Sequence, residues 1–359
     1  MIKIKKIKYL SLFSGIGAFE KALEKLDIDY ELVGFSEIDK FAIRSYCSIH
    51  NIDESLNLGD IQKINCYDKL KNIDLLTHGS PCQDFSIAGL QAGGDKDSGT
   101  RSSLMWETIR IIKYIKPKYI IWENVKNLLS EKHKPNFNMY LETLTDMGYN
   151  NYYKVLNAKD YGVPQNRERI YTISIRKDID KGYTFPNKKE LTLKLKDVLE
   201  DTVDEKYYLN NKFFIKPIYD IVKNNINVIG YLDINGHDCI KRIYSDEGIS
   251  PTLTNMQGGH RQPKVAVAMR GRYNSEGKIE QILEWSNREI ANSITTVLKD
   301  SLIGEGLYKV RKLTPRECFR LMGFDDVDFD KAKSVGISDT QLYKQAREFN
   351  LCSSIRRAI

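Results

Sequence analysis

No stretch of this chain stays apolar for the ~18 residues that a membrane-crossing helix needs, and no basic-then-apolar leader precedes the first strand-like run. The expectation is a cytoplasmic protein with no membrane partner. Cysteine is scarce: six residues, at 47, 66, 82, 239, 318 and 352, form no Cys-x-x-Cys pair, and the five histidines show no ligand spacing. A disulfide framework and a structural metal are therefore not expected. A strong charge of one sign is also missing, since 55 basic residues against 48 acidic ones leave +7, which suits a polyanion without requiring one. A dinucleotide fingerprint is incomplete as well. Gly15-Ile16-Gly17 starts one, but Glu20 stands where the third glycine of Gly-x-Gly-x-x-Gly belongs, which argues against an NAD loop.

What is present begins at the amino terminus, where 359 residues leave room for two domains. The segment Ile7 to Phe19 reads as a short β-like stretch that runs into a Gly-x-Gly turn and then a helix whose Phe19, Leu23 and Leu26 make one apolar stripe. Glycines suit that turn because a side chain would hold the backbone away from a nucleotide-like ligand. The next strand, Glu31 to Phe35, ends in Ser36-Glu37-Ile38-Asp39, putting a carboxylate about 20 residues beyond the glycines, the spacing at which an acid meets ribose hydroxyls. Gly59-Asp60 repeats the pattern of a carboxylate after a turn.

A second group of residues carries a nucleophile. The strand Ile73 to Thr77 is broken by Gly79 and Pro81, which sets Cys82 at the carboxyl edge of a sheet, where open α/β folds collect ligands. Taken alone, Cys82 could equally be a small buried hydrophobe. Tyr119 to Trp122 is a buried-strand pattern that delivers Glu123-Asn124 to the same edge, and Arg167 and Arg169 alternate on a later strand so that both point to one face. That face suits a salt-bridge ladder or an anionic substrate.

Read in order, FSGIGAF, SEID, GD, GSPCQDFS, ENV, QNRER and TPRECFRLMGF resemble the cytosine carbon-5 DNA methyltransferase family across nearly the whole chain. The resemblance implies an α/β fold: a doubly wound Rossmann-like S-adenosylmethionine-dependent methyltransferase domain, here residues 1–185 with 335–359, and a smaller, mostly β or irregular target-recognition domain, 186–334. It implies S-adenosylmethionine as donor, with Phe13 stacked on adenine, Gly15 and Gly17 allowing close approach, Glu37 on the ribose, Asp60 on the adenine amino group, and Pro81 beside the donor. Relatives often begin the first motif Asp-Leu-Phe, where this chain has Ser11-Leu12-Phe13. On the catalytic side it implies Cys82 as the thiolate that adds to carbon 6 of a flipped cytosine. Glu123 would be the protonated partner of ring nitrogen 3, Asn124 and Gln165 would steady the active-site loop, and Arg169 and Arg167 would support the cytosine and the thiol region. These residue types are needed because cytosine carbon 5 is a poor nucleophile until a thiolate adds next to it, and the charge pushed onto the ring needs an acid.

The implied partner is duplex DNA, with a cognate restriction endonuclease as a further partner and a monomeric state expected. The polar run Ile87 to Ser103 reads as a lid over the extruded base, with Ser86, Lys96 and Arg101 as phosphate contacts. Arg261, Gln262, Arg270 and Arg272 are the candidates for reading base edges, since arginine suits guanine and glutamine suits adenine. Two loosely similar phrases, from Gly248 and from Ala291, read as strand-loop units of the recognition domain. Two alternatives stay open: a transfer-RNA methyltransferase, although those relatives carry Cys-Phe-Thr where this chain has Cys318-Phe319-Arg320, and a catalytically disabled DNA-binding form. The second gains weight from the tail. After Ala346 the family has Gly-Asn-Ser and an apolar helix, whereas this chain reads Arg347-Glu348-Phe349 and ends with Arg356 and Arg357. Codons exist for Arg347 to Ile355 that, shifted by one base, spell Gly-Asn-Ser-Ile-Cys-Val-Pro-Val, so a frameshift is expected in the gene. Codons incompatible with that shift would refute it. The tail as written is expected to weaken donor binding.

Overall fold

The structure, a computed structural model, describes residues 6–81, 101–209, 215–223, 226–254, 256, 260–273, 279–283 and 308–346, with backbone alone at 101, 215–223, 268–273, 279–283 and 308–309. Cys82, Ser86 and Lys96, the phrase from Ala291 and the tail from Arg347 lie outside the described residues, as do the side chains of Arg101, Arg270 and Arg272. No helix among the described residues is long and apolar enough to cross a membrane.

The chain divides into two compact units, one of residues 1–163, 167–191 and 322–359, the other of 164–166 and 192–321. In the first, β1 (Ile7–Leu12), α1 (Ala18–Lys25), β2 (Tyr30–Ser36), α2 (Lys40–His50), β3 (Leu75–His78), α3 (Met105–Ile115), β4 (Tyr119–Val125), α4 (Lys134–Asp146), β5 (Tyr149–Asn157) and β6 (Glu168–Arg176) follow in order. The strands form one sheet, ordered β2-β1-β3-β4-β6-β5, parallel through β4 and antiparallel beyond it. β1 has β2 on one side and β3 on the other, so the strand order reverses there and leaves a crevice at the carboxyl ends, the place where such sheets bind ligands.

Strand alternation feeds two layers of helices. Leu10, Leu12, Leu76, Ile120 and Trp122 pack against Ile111 and Ile112 of α3 and Phe137, Tyr140 and Leu144 of α4. Phe35 of β2 packs with Ile43 and Tyr46 of α2 in a separate cluster. Local signals set the ends of α2: the Asp39 side chain accepts from Phe41 N at 2.9 Å, and Asn51 takes the left-handed conformation after His50. α3 buries Met105, Thr108, Ile111 and Ile112, with Thr108 bonding inward to Met105 O and to Tyr140.

The second unit is built on β7 (Ile215–Lys223), β8 (Ile226–Leu232), α5 (Asp238–Lys241), β9 (Arg242–Ser245), β10 (Lys264–Tyr273), β11 (Ile279–Leu283) and β12 (Tyr308–Lys312), closed by α6 (Pro315–Leu321). Its sheet runs β11-β10-β9-β8-β7 with β12 also on β10. The Gly248–Thr254 phrase makes no strand there; Ser250 forms a single bridge with Gln165. The unit's polar centre is Glu317, wholly buried, which accepts from Arg311 Nη2 at 2.6 Å, Arg311 Nη1 at 2.9 Å, Thr314 N at 2.8 Å and Glu200 N at 2.8 Å. The TPRECFRLMGF run therefore splits: its first part closes the second unit, and Met322 onward belongs to the first.

There the chain returns as α7 (Asp326–Ser334) and α8 (Asp339–Gln345). Asp328 pairs with Lys21 at 2.8 Å, Ser48 Oγ donates to Lys331 O at 2.9 Å, and Gln345 Nε2 donates to Phe41 O at 3.0 Å. These bonds fasten α7 and α8 to the α1 and α2 layer.

Candidate active site

One lateral row of the sheet organises the site. Ser36, Leu12, His78, Trp122 and Thr172 are successive partners across β2, β1, β3, β4 and β6. The motif residues begin directly after that row: Phe13 after β1, Glu37 after β2, Gly79-Ser80-Pro81 after β3, and Glu123-Asn124 at the end of β4. Four separate sequence segments thus reach one edge because their strands are in register.

The β1 end is a chain of left-handed residues, Phe13 (φ 53), Gly15 (φ 54) and Gly17 (φ 84). The conformation costs glycine little and a bulky aromatic more, so Phe13 marks a backbone held in place by its surroundings. Glu37 does much of that holding. Its Oε2 accepts from Gly15 N at 3.0 Å, while Oε1 accepts from Ile38 N and Asp39 N, both at 2.8 Å. Asp60 caps the short turn Ile61–Lys63 through Gln62 N at 3.0 Å, and Arg110 of α3 holds the same turn through Ile61 O at 2.7 Å and Ile64 O at 2.8 Å. Two features favour an adenosine-like ligand here. Ile38 stands 74% exposed beside Glu37, an apolar side chain left uncovered at a polar edge, and Ser14 Oγ is buried without a hydrogen-bond partner among the described residues. Ile38 was not singled out from the sequence, since one isoleucine between two acids carries no pattern.

At the β4 end, Glu123 is 6% exposed and its Oε1 lies 3.0 Å from Arg169 Nε, an ion pair without a well-aligned hydrogen bond to that oxygen. Burial pushes the carboxyl up from the ordinary range, and the nearby Arg169 and Arg167 guanidinium groups oppose the shift without cancelling it. Arg167 is itself 2% exposed, so the two arginines serve the buried carboxyl and make no exposed ladder. Asn124 faces the other way: its Nδ2 lies 3.4 Å from both Ser80 O and Ser80 Oγ. Trp122, two residues earlier on the same face, donates from Nε1 to Ser80 Oγ at 3.1 Å. Ser80 and Trp122 are functional neighbours that sequence reasoning missed. Behind them His78, fully buried, bonds Tyr140 at 3.1 Å, and burial takes its imidazole down to about 3, so it is neutral.

The remaining candidates are more scattered. Gln165 belongs to the second unit, is wholly buried, and neither amide atom has a partner among the described residues. Gln262 is 8% exposed and its Nε2 donates to Met256 O at 2.6 Å, so it braces a loop rather than presenting an amide at the surface. Arg261 beside it is exposed. Arg270 and Arg272 pair with Ile282 and Glu280 in the β10–β11 ladder.

Solved structures share this architecture. The Dnmt2 methyltransferase of S. pombe superposes with a TM-score of 0.64 at 17% identity, covering 98% of this chain and 96% of that one. The Entamoeba histolytica methyltransferase EhMeth gives 0.66 at 17%, with the same coverage. The fold is thus the Rossmann-like fold of C5 methyltransferases. The chain belongs to the C-5 cytosine-specific DNA methylase family, whose model matches residues 7–347, and it is accordingly a DNA (cytosine-5)-methyltransferase. It is 39% identical to the orphan methyltransferase M.SPBetaI of Bacillus phage SPbeta over 95% of this chain and 94% of that protein. It is 33% identical to the type II methyltransferase M.HhaI of Haemophilus parahaemolyticus over 96% and 92%.

Proposed function

We propose that the chain methylates carbon 5 of a cytosine flipped out of a short duplex DNA site, with S-adenosylmethionine as donor and Cys82 as covalent nucleophile. The observation that carries the reading is Glu123: a buried carboxyl, raised toward its neutral form, at the edge where the Gly79-Ser80-Pro81 turn leads into Cys82. A neutral carboxylic acid can donate to ring nitrogen 3 as the Cys82 thiolate adds to carbon 6, taking up the charge that addition places on the ring. Arg169 and Arg167 hold the carboxyl in place from one side. Trp122 and Asn124 hold Ser80 from the other, which sets the start of the thiol loop.

The donor would sit at the β1 and β2 ends, with Phe13 and Ile38 against adenine, Glu37 on the ribose, Asp60 on the adenine amino group, and Gly15, Gly17 and Pro81 leaving room. Bound there it supplies a methyl group on a positively charged sulfur. Glu37 already accepts three backbone N–H groups, yet a carboxylate has about four acceptor positions, so it retains capacity for a ribose hydroxyl. After transfer the carbon-5 proton leaves to a base and the thiolate is eliminated, restoring both the ring and Cys82. Target reading belongs to the second unit, chiefly residues 192–321, in this account, with Arg261, Arg270 and Arg272 as its base or phosphate contacts. Ser86, Lys96 and Arg101 would hold phosphates around the flipped base.

Duplex DNA carrying 5-fluorocytosine tests the covalent step, because fluorine at carbon 5 cannot leave as a proton. With donor present, a denaturation-resistant complex is expected from the chain and none from Cys82→Ser. Equal trapping by both proteins would refute Cys82 as nucleophile, and trapping on transfer RNA instead of duplex would move the substrate.

A further inference from the structure

We propose that His50 is a positioning residue for the donor loop, a ring that ties the Ile16 backbone to α2 and to Glu24. The inference rests on reading Phe13–Gly17 as the donor site. His50 ends α2, and its side chain is wholly buried. Its Nδ1 lies 2.8 Å from Glu24 Oε1 and its Nε2 lies 3.0 Å from Ile16 O. Burial raises the Glu24 carboxyl, but the hydrogen bond and charge of His50, with Lys21 and Lys331, outweigh it and hold the group below its ordinary range, so Glu24 is ionised. Each ring nitrogen thus faces an acceptor, a carboxylate on one side and a backbone carbonyl on the other.

The surroundings supply the counter-charge and the shape. Glu20 and Glu24 are one turn apart on α1, facing Tyr46 and His50, one turn apart on α2; Tyr46 donates to Glu20 at 2.8 Å, and its ring lies 5.1 Å from that of His50. Lys21 approaches Glu24 at 3.7 Å, and Lys331 of α7 bonds Ile49 O at 2.9 Å. The ring also fills the space over Gly17, where an added Cβ would stand 2.2 Å from His50 Nε2. Gly17 is therefore fixed as glycine twice over, by its positive φ and by this ring.

The consequence is a loop held from both ends. Gly15 N is anchored to Glu37 at the end of β2, and the next residue, Ile16, is anchored through its carbonyl to His50 at the end of α2. Without the second anchor the loop would have to be ordered when the donor binds, so affinity falls while the chemical step keeps its rate.

The test is calorimetric titration of S-adenosylhomocysteine into the full chain, beside steady-state methylation of duplex DNA. His50→Leu is expected to bind about tenfold more weakly, with kcat at saturating donor within about twofold of wild type. Glu24→Gln, which removes the carboxylate partner of the ring, is expected to fall between the two. Equal affinity in wild type and His50→Leu would overturn the inference, as would a fall in kcat at unchanged affinity. Should His50→Leu fail to fold, unchanged binding by Glu24→Gln overturns it equally. Wild type that binds nothing removes the donor reading and this inference with it. Binding lost in Phe13→Ala but untouched in His50→Leu keeps the donor reading and overturns only this one.

Discussion

Glu123 shows how surroundings set the state of one residue. From sequence it is a charge at a strand end; burial biases the carboxyl toward the neutral state against the opposing pull of two nearby arginines. Because its folded value is raised, the stability attached to the neutral form is complete below the ordinary carboxylate range and is lost as pH rises through the raised value. Glu123→Gln removes that loss. The melting temperature of Glu123→Gln relative to wild type is thus expected to rise as pH increases above the ordinary carboxylate range, and a difference that stays constant would contradict the assignment. The same variant cannot transfer a proton, and its methylation rate is expected to drop about a hundredfold or more in single-turnover assays. The identity of Glu123 was legible in the sequence through Glu-Asn-Val. Its ion-pair geometry was not, because Arg169 reaches it only through the antiparallel pairing of β6 with β4.

At the scale of elements, β4 divides its labour by alternation. Glu123 turns to the arginines, while Trp122 and Asn124 turn to Ser80, so a single strand links the acid to the start of the thiol loop. Trp122→Phe keeps the packing against Tyr140 and Phe137 but deletes the N–H donor. It is expected to cost about 1 kcal/mol in chemical unfolding and to lower kcat more than donor affinity; unchanged kcat would show that the Ser80 bond is structural only. In the second unit, Glu317→Ala would strand the buried Arg311 charge, with an expected loss of about 3–5 kcal/mol measured by thermal unfolding. The strands and glycine turns of the first sheet were legible because parallel, doubly covered strands read as apolar runs ending in turn residues. The Gly248–Thr254 phrase misled for a matching reason: Ile249, Ser250 and Leu253 look strand-like, yet the phrase forms no ladder, only an isolated bridge between Ser250 and Gln165. Gln262 could not be judged from sequence either, since nothing in Arg-Gln distinguishes an amide aimed at DNA from one bonded to Met256 O.

Across the whole molecule, the catalytic unit is interrupted by the second unit and completed only when α7 and α8 return to α1 and α2. The motif order in the sequence follows from this path: the proposed donor and nucleophile segments, Glu123 and the two arginines come before the 192–321 insertion, and TPRECFRLMGF spans the way back. The central claim is that these pieces make a cytosine-5 methyltransferase acting through Cys82 on duplex DNA. Its most direct test is expression of the 359-residue chain in a host free of cytosine methylation, followed by mapping of 5-methylcytosine, with Cys82→Ser alongside. The account predicts 5-methylcytosine at one short recurring sequence, absent from the Cys82→Ser host. Methylation that persists in Cys82→Ser, or none from soluble, folded protein even with the Gly-Asn-Ser frame restored, would contradict it.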